Sequence, residues 1–211
     1  MRTYMLVLAA LAAASSLAAQ EQSTLPSGWQ ARADRANAQM QNVKFVTMGD
    51  GYHVTLGPSV ILYNPKQRAE GAYRARATFT QTKAPQHPEA YGLLLGGQNL
   101  DAANQDYLYF LVRGDGKFLV KHRAGAETHT LFDWTEHAAV KRADAAGKAT
   151  NTLAFEATAK GARFLVNGTE VAKLPRAAQL NTDGVVGLRV NHNLDVHVSG
   201  FKVEPIAAGS R

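Results

Sequence analysis

The side chains able to do chemistry in this chain are few and scattered. Asp133 and Glu136 flank Trp134 and form its best-placed pair of acids. Glycoside cleavage needs two carboxyl groups on either side of the scissile bond, about 5 to 9.5 Å apart. The other acids within apolar–polar alternation, Glu156, Glu170, Asp195 and Glu204, have no second acid two residues away. Asp50, Asp115 and Asp183 fall beside glycines, in turns, where Asp bonds its own backbone. Asp133 and Glu136 are therefore the candidate catalytic pair, with ordering of the adjacent loop as their competing role.

Metal chemistry has one opening. Asn99, Asp101, Asn104 and Asp106 gather oxygen-bearing side chains in one loop, and calcium takes about six to eight oxygen ligands. The spacing is not that of an EF-hand and lacks its bidentate Glu, so solvation of the loop competes with calcium. The sequence has no cysteine, which excludes thiolate zinc. Its seven histidines include His122, His129, His137, His192 and His197, with no short-spaced ligand pair of the zinc type. There is no Gly-x-Ser-x-Gly nucleophile elbow and no glycine-rich phosphate loop. No cofactor is expected; calcium is the metal left open.

Binding chemistry is better represented. Along 106–113, Leu108, Phe110 and Val112 point one way while Tyr107, Tyr109 and Arg113 point the other. Arg74, Arg76, Thr78 and Thr80 share a face opposite Tyr73, Ala75, Ala77 and Phe79, and Arg189 and Asn191 oppose Val186, Leu188 and Val190. Aromatic rings stack on the apolar faces of sugars, and Arg offers a forked donor that also pairs with carboxylated sugars. Arg74, Arg76, Tyr107, Tyr109, Arg113 and Arg189 are the expected binding face, with Trp134 at its rim. An ordinary solvated sheet surface would alternate in the same way. Arg113-Gly114-Asp115 and Asn167-Gly168-Thr169 match an integrin tripeptide and a glycosylation acceptor, but both read as hairpin turns.

These groups need elements to hold them. The first 19 residues have the parts of a cleavable export signal: Arg2, an uncharged apolar run over 5–14, then small residues ending at Ala19. The run is too short to span a bilayer, no second apolar run follows, and the mature chain is expected to be soluble. Its charge is +5 once Arg2 is removed from the total of +6. A basic balance suggests acidic partners such as envelope glycans, anionic lipid head groups or nucleic acid. The basic residues are dispersed, however, so a solvated mixed surface is expected over a basic binding patch. The expected partner is a carbohydrate or envelope glycan, with no nucleic acid. A flexible lead-in is expected over 20–27, then an irregular stretch over 27–41 with room for a short helix. From 43 onward, apolar–polar alternation and turn residues recur in the manner of short strands. Strands are expected over 43–48, 52–56, 59–63, 72–81, 91–97, 107–113 and 118–123, then 128–133, 152–159, 162–166, 169–174, 184–191 and 194–204. Longer loops fall at 82–89 and 134–151, and a disordered tail is expected over 205–211.

Many antiparallel strands without βα alternation imply two packed sheets in one all-β domain over 28–204. Gly28-Trp29, the GLLLGGQ strand at 92–98, DYLYFLVRGDGKF at 106–118, Trp134, Asn151 and Val166-Asn167-Gly168 follow one another in order. Asp183-Gly184 then leads into VGLRV, and Phe201-Lys202-Val203 follows. The chain resembles the concanavalin A-like jelly rolls of the LamG-like and 3-keto-disaccharide hydrolase-like group. The resemblance implies an antiparallel two-sheet jelly-roll sandwich with a carbohydrate-binding face. Glycoside hydrolase family 16 shares that fold and carries Glu-x-Asp-x-x-Glu on one strand, a run this sequence lacks. The expected function is an exported, periplasmic or extracellular, glycan-binding or envelope-associated module. The alternatives are a glycosidase acting on a disaccharide or polysaccharide and a protein-interaction domain.

Overall fold

The computed structural model of the chain describes residues 25–176 and 180–206. The expected export signal, most of the expected lead-in, residues 177–179 and residues 207–211 lie outside the described residues. In chain order the first strands are β1 (Gln30–Ala33), β2 (Lys44–Met48), β3 (Gly51–Thr55), β4 (Val60–Ala69), β5 (Tyr73–Gln81), β6 (Ala90–Gln98) and β7 (Asp106–Arg113). They continue as β8 (Lys117–Ala124), β9 (Glu127–Glu136), β10 (Ala149–Thr158), β11 (Gly161–Val166), β12 (Thr169–Pro175), β13 (Gly184–Val190) and β14 (Asp195–Pro205). A short 3-10 turn covers Met40–Asn42.

The strands form two seven-stranded sheets, ordered β1-β4-β13-β6-β7-β8-β9 and β12-β11-β10-β5-β14-β3-β2. Every described pairing is antiparallel. The period of two drives this: each strand buries alternate side chains against the opposing sheet. Leu108, Phe110 and Val112 from β7 meet Phe155 and Phe164 of the other sheet in one buried core. Phe164 sits 5.3 Å from both Phe110 and Phe155, ring centre to ring centre. Trp29 anchors the entry of the chain edge-on against Phe45 and Tyr52, at 4.9 and 5.0 Å.

The turns follow the expected chemistry. Asn167 and Gly168 connect β11 to β12 with φ of 52° and 83°, the left-handed pair that a tight hairpin requires. The Asn167 side-chain nitrogen donates to Ala139 O and Asn151 Oδ1, so the glycosylation-like tripeptide is a structural turn. In the Arg113-Gly114-Asp115 turn, the Arg113 guanidinium grips the Asp115 carboxylate through two bonds of 2.9 and 2.6 Å.

The structure departs from expectation in several places. Strand β4 runs on to Ala69, past the expected end at Tyr63, and β10 begins at Ala149, inside the expected loop. The stretch read as irregular contains β1, which pairs with β4 from Gln30↔Tyr63 to Ala33↔Val60. Strand β9 runs through Trp134 to Glu136, so Trp134 stands on a strand and the loop begins after it. Pro205, placed in the tail, closes β14, and Ile206 N donates to Ala72 O.

Candidate functional site

The face of the first sheet turned away from the core carries most of the expected binding residues. Tyr107, Tyr109 and Arg113 from β7 lie there with Ile61 and Tyr63 of β4, Leu119 of β8 and Trp134 of β9. This face is not a solvated surface. Tyr107 is 2 % exposed and Arg189 6 %. Leu100 packs into the cluster, and Arg32 of β1 donates Nη1 to Leu100 O at 2.6 Å and Ala102 O at 2.7 Å.

Asp34, the residue after the edge strand β1, reaches Arg189 of β13. Its two oxygens accept from Nη1 and Nη2 of Arg189, and Arg189 Nη1 lies 3.5 Å from the Tyr107 hydroxyl. The Arg189 guanidinium carbon sits 5.2 Å from the centre of the Tyr109 ring. Burial would raise the Asp34 carboxyl, but hydrogen bonding and charge from Arg189 outweigh it and hold that carboxyl below its ordinary range. Burial likewise opposes the Arg189 cation, yet Asp34 and the neighbouring tyrosines raise its pKa further, so it stays charged. Burial pushes the hydroxyls of Tyr107 and Tyr109 up.

Beside this network opens a cleft of about 450 Å3, walled by small apolar residues such as Ala31, Ala33, Ala103 and Ala126 and by Arg32, Asp34, Arg35, Gln105 and Arg123. Asp34 is the one carboxylate among the described residues lining it. No carboxylate lies within salt-bridge distance of Arg32, Arg35 or Arg123 among the described residues. An apolar floor with cationic hydrogen-bond donors suits a sugar ring that carries anionic substituents. Farther along the face, the Arg113 guanidinium covers the half-buried Trp134 ring at 4.3 Å.

The structure divides the expected binding residues between the two sheets. Tyr107, Tyr109, Arg113, Trp134 and Arg189 share one face. Arg74 and Arg76 lie on β5 in the second sheet, facing away from them. Arg74 donates to Glu156, and Glu156 also accepts from Arg163 at 2.8 Å, which in turn donates to Glu170 at 2.6 Å. This ladder of ion pairs, with cross-strand Thr78–Thr152 and Thr80–Thr150 bonds beside it, is how an outward polar face satisfies itself. Arg74 and Arg76 therefore leave the candidate site. Arg32, Asp34 and Arg123 enter it, brought there by the unexpected strand β1 and by β8.

The expected acids do not converge on a cleavage site. Asp133 Oδ1 accepts from the Trp134 backbone N at 2.8 Å, and Glu136 accepts from Arg142. Both are exposed, and neither lines a described cavity. In the 99–106 loop, Asn99 adopts a left-handed φ of 49° to close a turn. Asp106 engages His122 Nε2 at 3.0 Å. Among the described residues no group of three or more His, Asp or Glu side chains is placed to share a cation. His192 bonds Glu89 at 2.7 Å, and His197 lies beside His53, ring centres 6.3 Å apart.

No protein-family model matches this chain, and no curated protein matches it. Solved structures do. A carbohydrate-binding module, CBM66 from Bacillus subtilis, superposes with a TM-score of 0.63 at 11% identity, covering 84% of this chain and 95% of that one. A Bacillus licheniformis beta-glucanase gives 0.57 at 11% identity, covering 83% and 92%. An alginate lyase, A1-II', gives 0.55 at 10% identity, covering 85% and 95%. Identities this low show the fold alone: the chain is a concanavalin A-like jelly-roll sandwich. Among the described residues, no helix is long and apolar enough to cross a membrane.

Proposed function

We propose that the protein is an exported glycan-binding module, and that its ligand is an acidic glycan lying across the outer face of the first sheet. One observation carries the reading. The Asp34–Arg189 pair fixes a Tyr-lined face, and beside it opens a cleft holding three arginines without carboxylate partners among the described residues. Arg32 and Arg123 each give one nitrogen to backbone carbonyls, Arg32 Nη1 to Leu100 O and Ala102 O and Arg123 Nε to Gly125 O. Their remaining donors can pair with carboxylate or sulfate groups on a sugar, while the alanine walls accept its apolar face. Structures of the same fold named for carbohydrate binding, glucan cleavage and alginate cleavage support a glycan ligand. Export rests on the signal-like residues 1–19, which carry Arg2 and an apolar run before Ala19.

Cleavage of a glycosidic bond is less well supported. It asks for two carboxyl groups across one bond. The cleft presents Asp34 alone among its described lining residues, and Asp34 is bound on both oxygens by Arg189.

The test is a glycan array probed with the purified mature protein, with and without calcium. Binding to uronate- or sulfate-bearing glycans, weakened by salt, is the expected result. No binding to any glycan overturns the reading. Binding that appears only with calcium would shift the site to the Asn99–Asp106 loop. Expression of the full chain in a bacterium, with intact-mass measurement of the exported form, checks for removal of residues 1–19.

A further inference from the structure

The cleft beside the Asp34–Arg189 pair has a hydrogen-bonded frame that joins two of its arginines through one amide residue. Arg32 Nη1 donates to Leu100 O at 2.6 Å and to Ala102 O at 2.7 Å. The Gln105 backbone N donates to the same Ala102 O at 3.2 Å, and Gln105 O accepts from Gly125 N at 2.7 Å. Gly125 O in turn accepts from Arg123 Nε at 2.6 Å. One run of hydrogen bonds leads from Arg32 through Gln105 to Arg123, and all three residues line the cleft. Both guanidinium groups are held by neutral carbonyls, so each is fixed in place with its charge uncancelled.

The same bonds decide which donors remain. Arg32 commits Nη1 and keeps Nε and Nη2, the adjacent pair along one edge of the guanidinium that meets a planar carboxylate with two parallel bonds. Arg123 commits Nε and keeps its two terminal nitrogens. None of these remaining nitrogens bonds a described residue, and none is sealed from solvent. Gln105 is 6 % exposed. Its side-chain amide also bonds no described residue, and neither amide atom is sealed. A polar side chain this buried rarely persists without a partner. Asp34, the other side-chain oxygen acceptor among the described lining residues, gives both oxygens to Arg189. Gln105 is therefore the open acceptor of the cleft, and it calls for a hydroxyl or N–H donor on the ligand.

We propose that the cleft selects a uronate sugar and that Gln105 is its specificity-determining residue, an inference that rests on the acidic-glycan reading of the same site. The carboxylate pairs with the free edge of Arg32, a neighbouring ring hydroxyl donates to Gln105 Oε1, and Arg123 supplies the second cation. A uronate carries both groups on one ring. A neutral sugar offers the hydroxyl without the anion. A sugar sulfated at every hydroxyl offers the anion without the donor, and leaves the Gln105 acceptor unpaired in a desolvated wall, which lowers affinity.

The experiment is calorimetric titration of the purified mature protein with trisaccharides of galacturonate, glucuronate and mannuronate, with their methyl esters, and with fully sulfated maltotriose. The best-bound uronate should exceed both its methyl ester and the sulfated sugar by at least about tenfold. Gln105→Met keeps the length of the side chain and removes the acceptor. It should weaken uronate binding at least about tenfold while changing that of the sulfated sugar less than about twofold. A cleft that had merely collapsed would lose both ligands alike. The preference of the natural chain stands as a test even where the variant does not fold. Sulfated maltotriose bound as tightly as the uronates, or Gln105→Met weakening neither ligand or both equally, would overturn the selectivity and leave the acidic-glycan reading intact. No binding of any acidic sugar, or methyl esters bound as tightly as the free acids, would overturn both.

Discussion

Both carboxylate oxygens of Asp34 are bound by the two terminal nitrogens of Arg189, joining the end of the first strand to the third strand of the same sheet. The guanidinium is buried while the carboxylate is partly exposed. Breaking such a pair from one side leaves a charge without its counter-ion, a cost of about 2–4 kcal/mol. Asp34→Asn should lower stability by that amount in denaturant unfolding. Adding Arg189→Met to the same chain should restore part of the loss, because an apolar side chain can take the buried space. A double variant no more stable than Asp34→Asn would mean that the pair does not hold the face together.

The same pair sets an acid limb. The native Asp34 carboxyl lies below its ordinary value of about 4, chiefly because Arg189 overcomes the effect of burial. Below the ordinary value the unfolded chain takes up a proton that the native state refuses. The contribution is therefore complete above about pH 5 and is lost as pH falls through the native value. Unfolding free energies measured from neutral to acid pH should fall more steeply for the natural chain than for Asp34→Asn. Parallel curves would count against this account.

Strand alternation was readable in the chain almost throughout, because β-branched and aromatic residues at a period of two leave little choice of face. The buried set Leu108, Phe110 and Val112 and the outward set Tyr107, Tyr109 and Arg113 separate as the alternation predicts. What alternation does not encode is which sheet a strand joins. Arg74 and Arg189 look alike in sequence, each an outward Arg between apolar neighbours, yet the topology places them on opposite sides of the sandwich. Strand β1 was hidden for a different reason. Gln-Ala-Arg-Ala has helix-forming residues and a weak apolar face, and it becomes a strand by pairing with Val60–Tyr63. With it, Arg32 and Asp34 were missed. The only local hint was an alternating Ala31, Ala33 against Arg32, Asp34.

At the other end of the pH scale, burial governs. It raises the hydroxyl pKa of Tyr63, Tyr73, Tyr91, Tyr107 and Tyr109. Above the ordinary tyrosine value of about 10, the unfolded chain has released protons that the native chain still holds. Stability should fall as pH rises beyond that point. Phenolate absorbance during alkaline titration should appear late and cooperatively, together with loss of native structure. Titration of most tyrosines near the ordinary value in a folded chain would contradict the packing of both faces.

The division between the sheets makes the sharpest contrast. If ligand lies on the outer face of the first sheet, Arg123→Ala and Trp134→Ala should each weaken glycan binding by about tenfold, near 1.4 kcal/mol. Arg123 acts through charge, since it lines the cleft without a carboxylate partner among the described residues. Trp134 acts through its ring, half-buried beneath Arg113. Arg74→Ala changes the opposite sheet, where it strips one of two arginines from Glu156. It should leave glycan affinity unchanged while costing up to about 1 kcal/mol of stability, as the arginine is well exposed. Affinity measured by calorimetry on the same glycan, alongside thermal unfolding of each variant, separates the two effects. Loss of binding in Arg74→Ala with retention in Arg123→Ala would move the ligand to the second sheet.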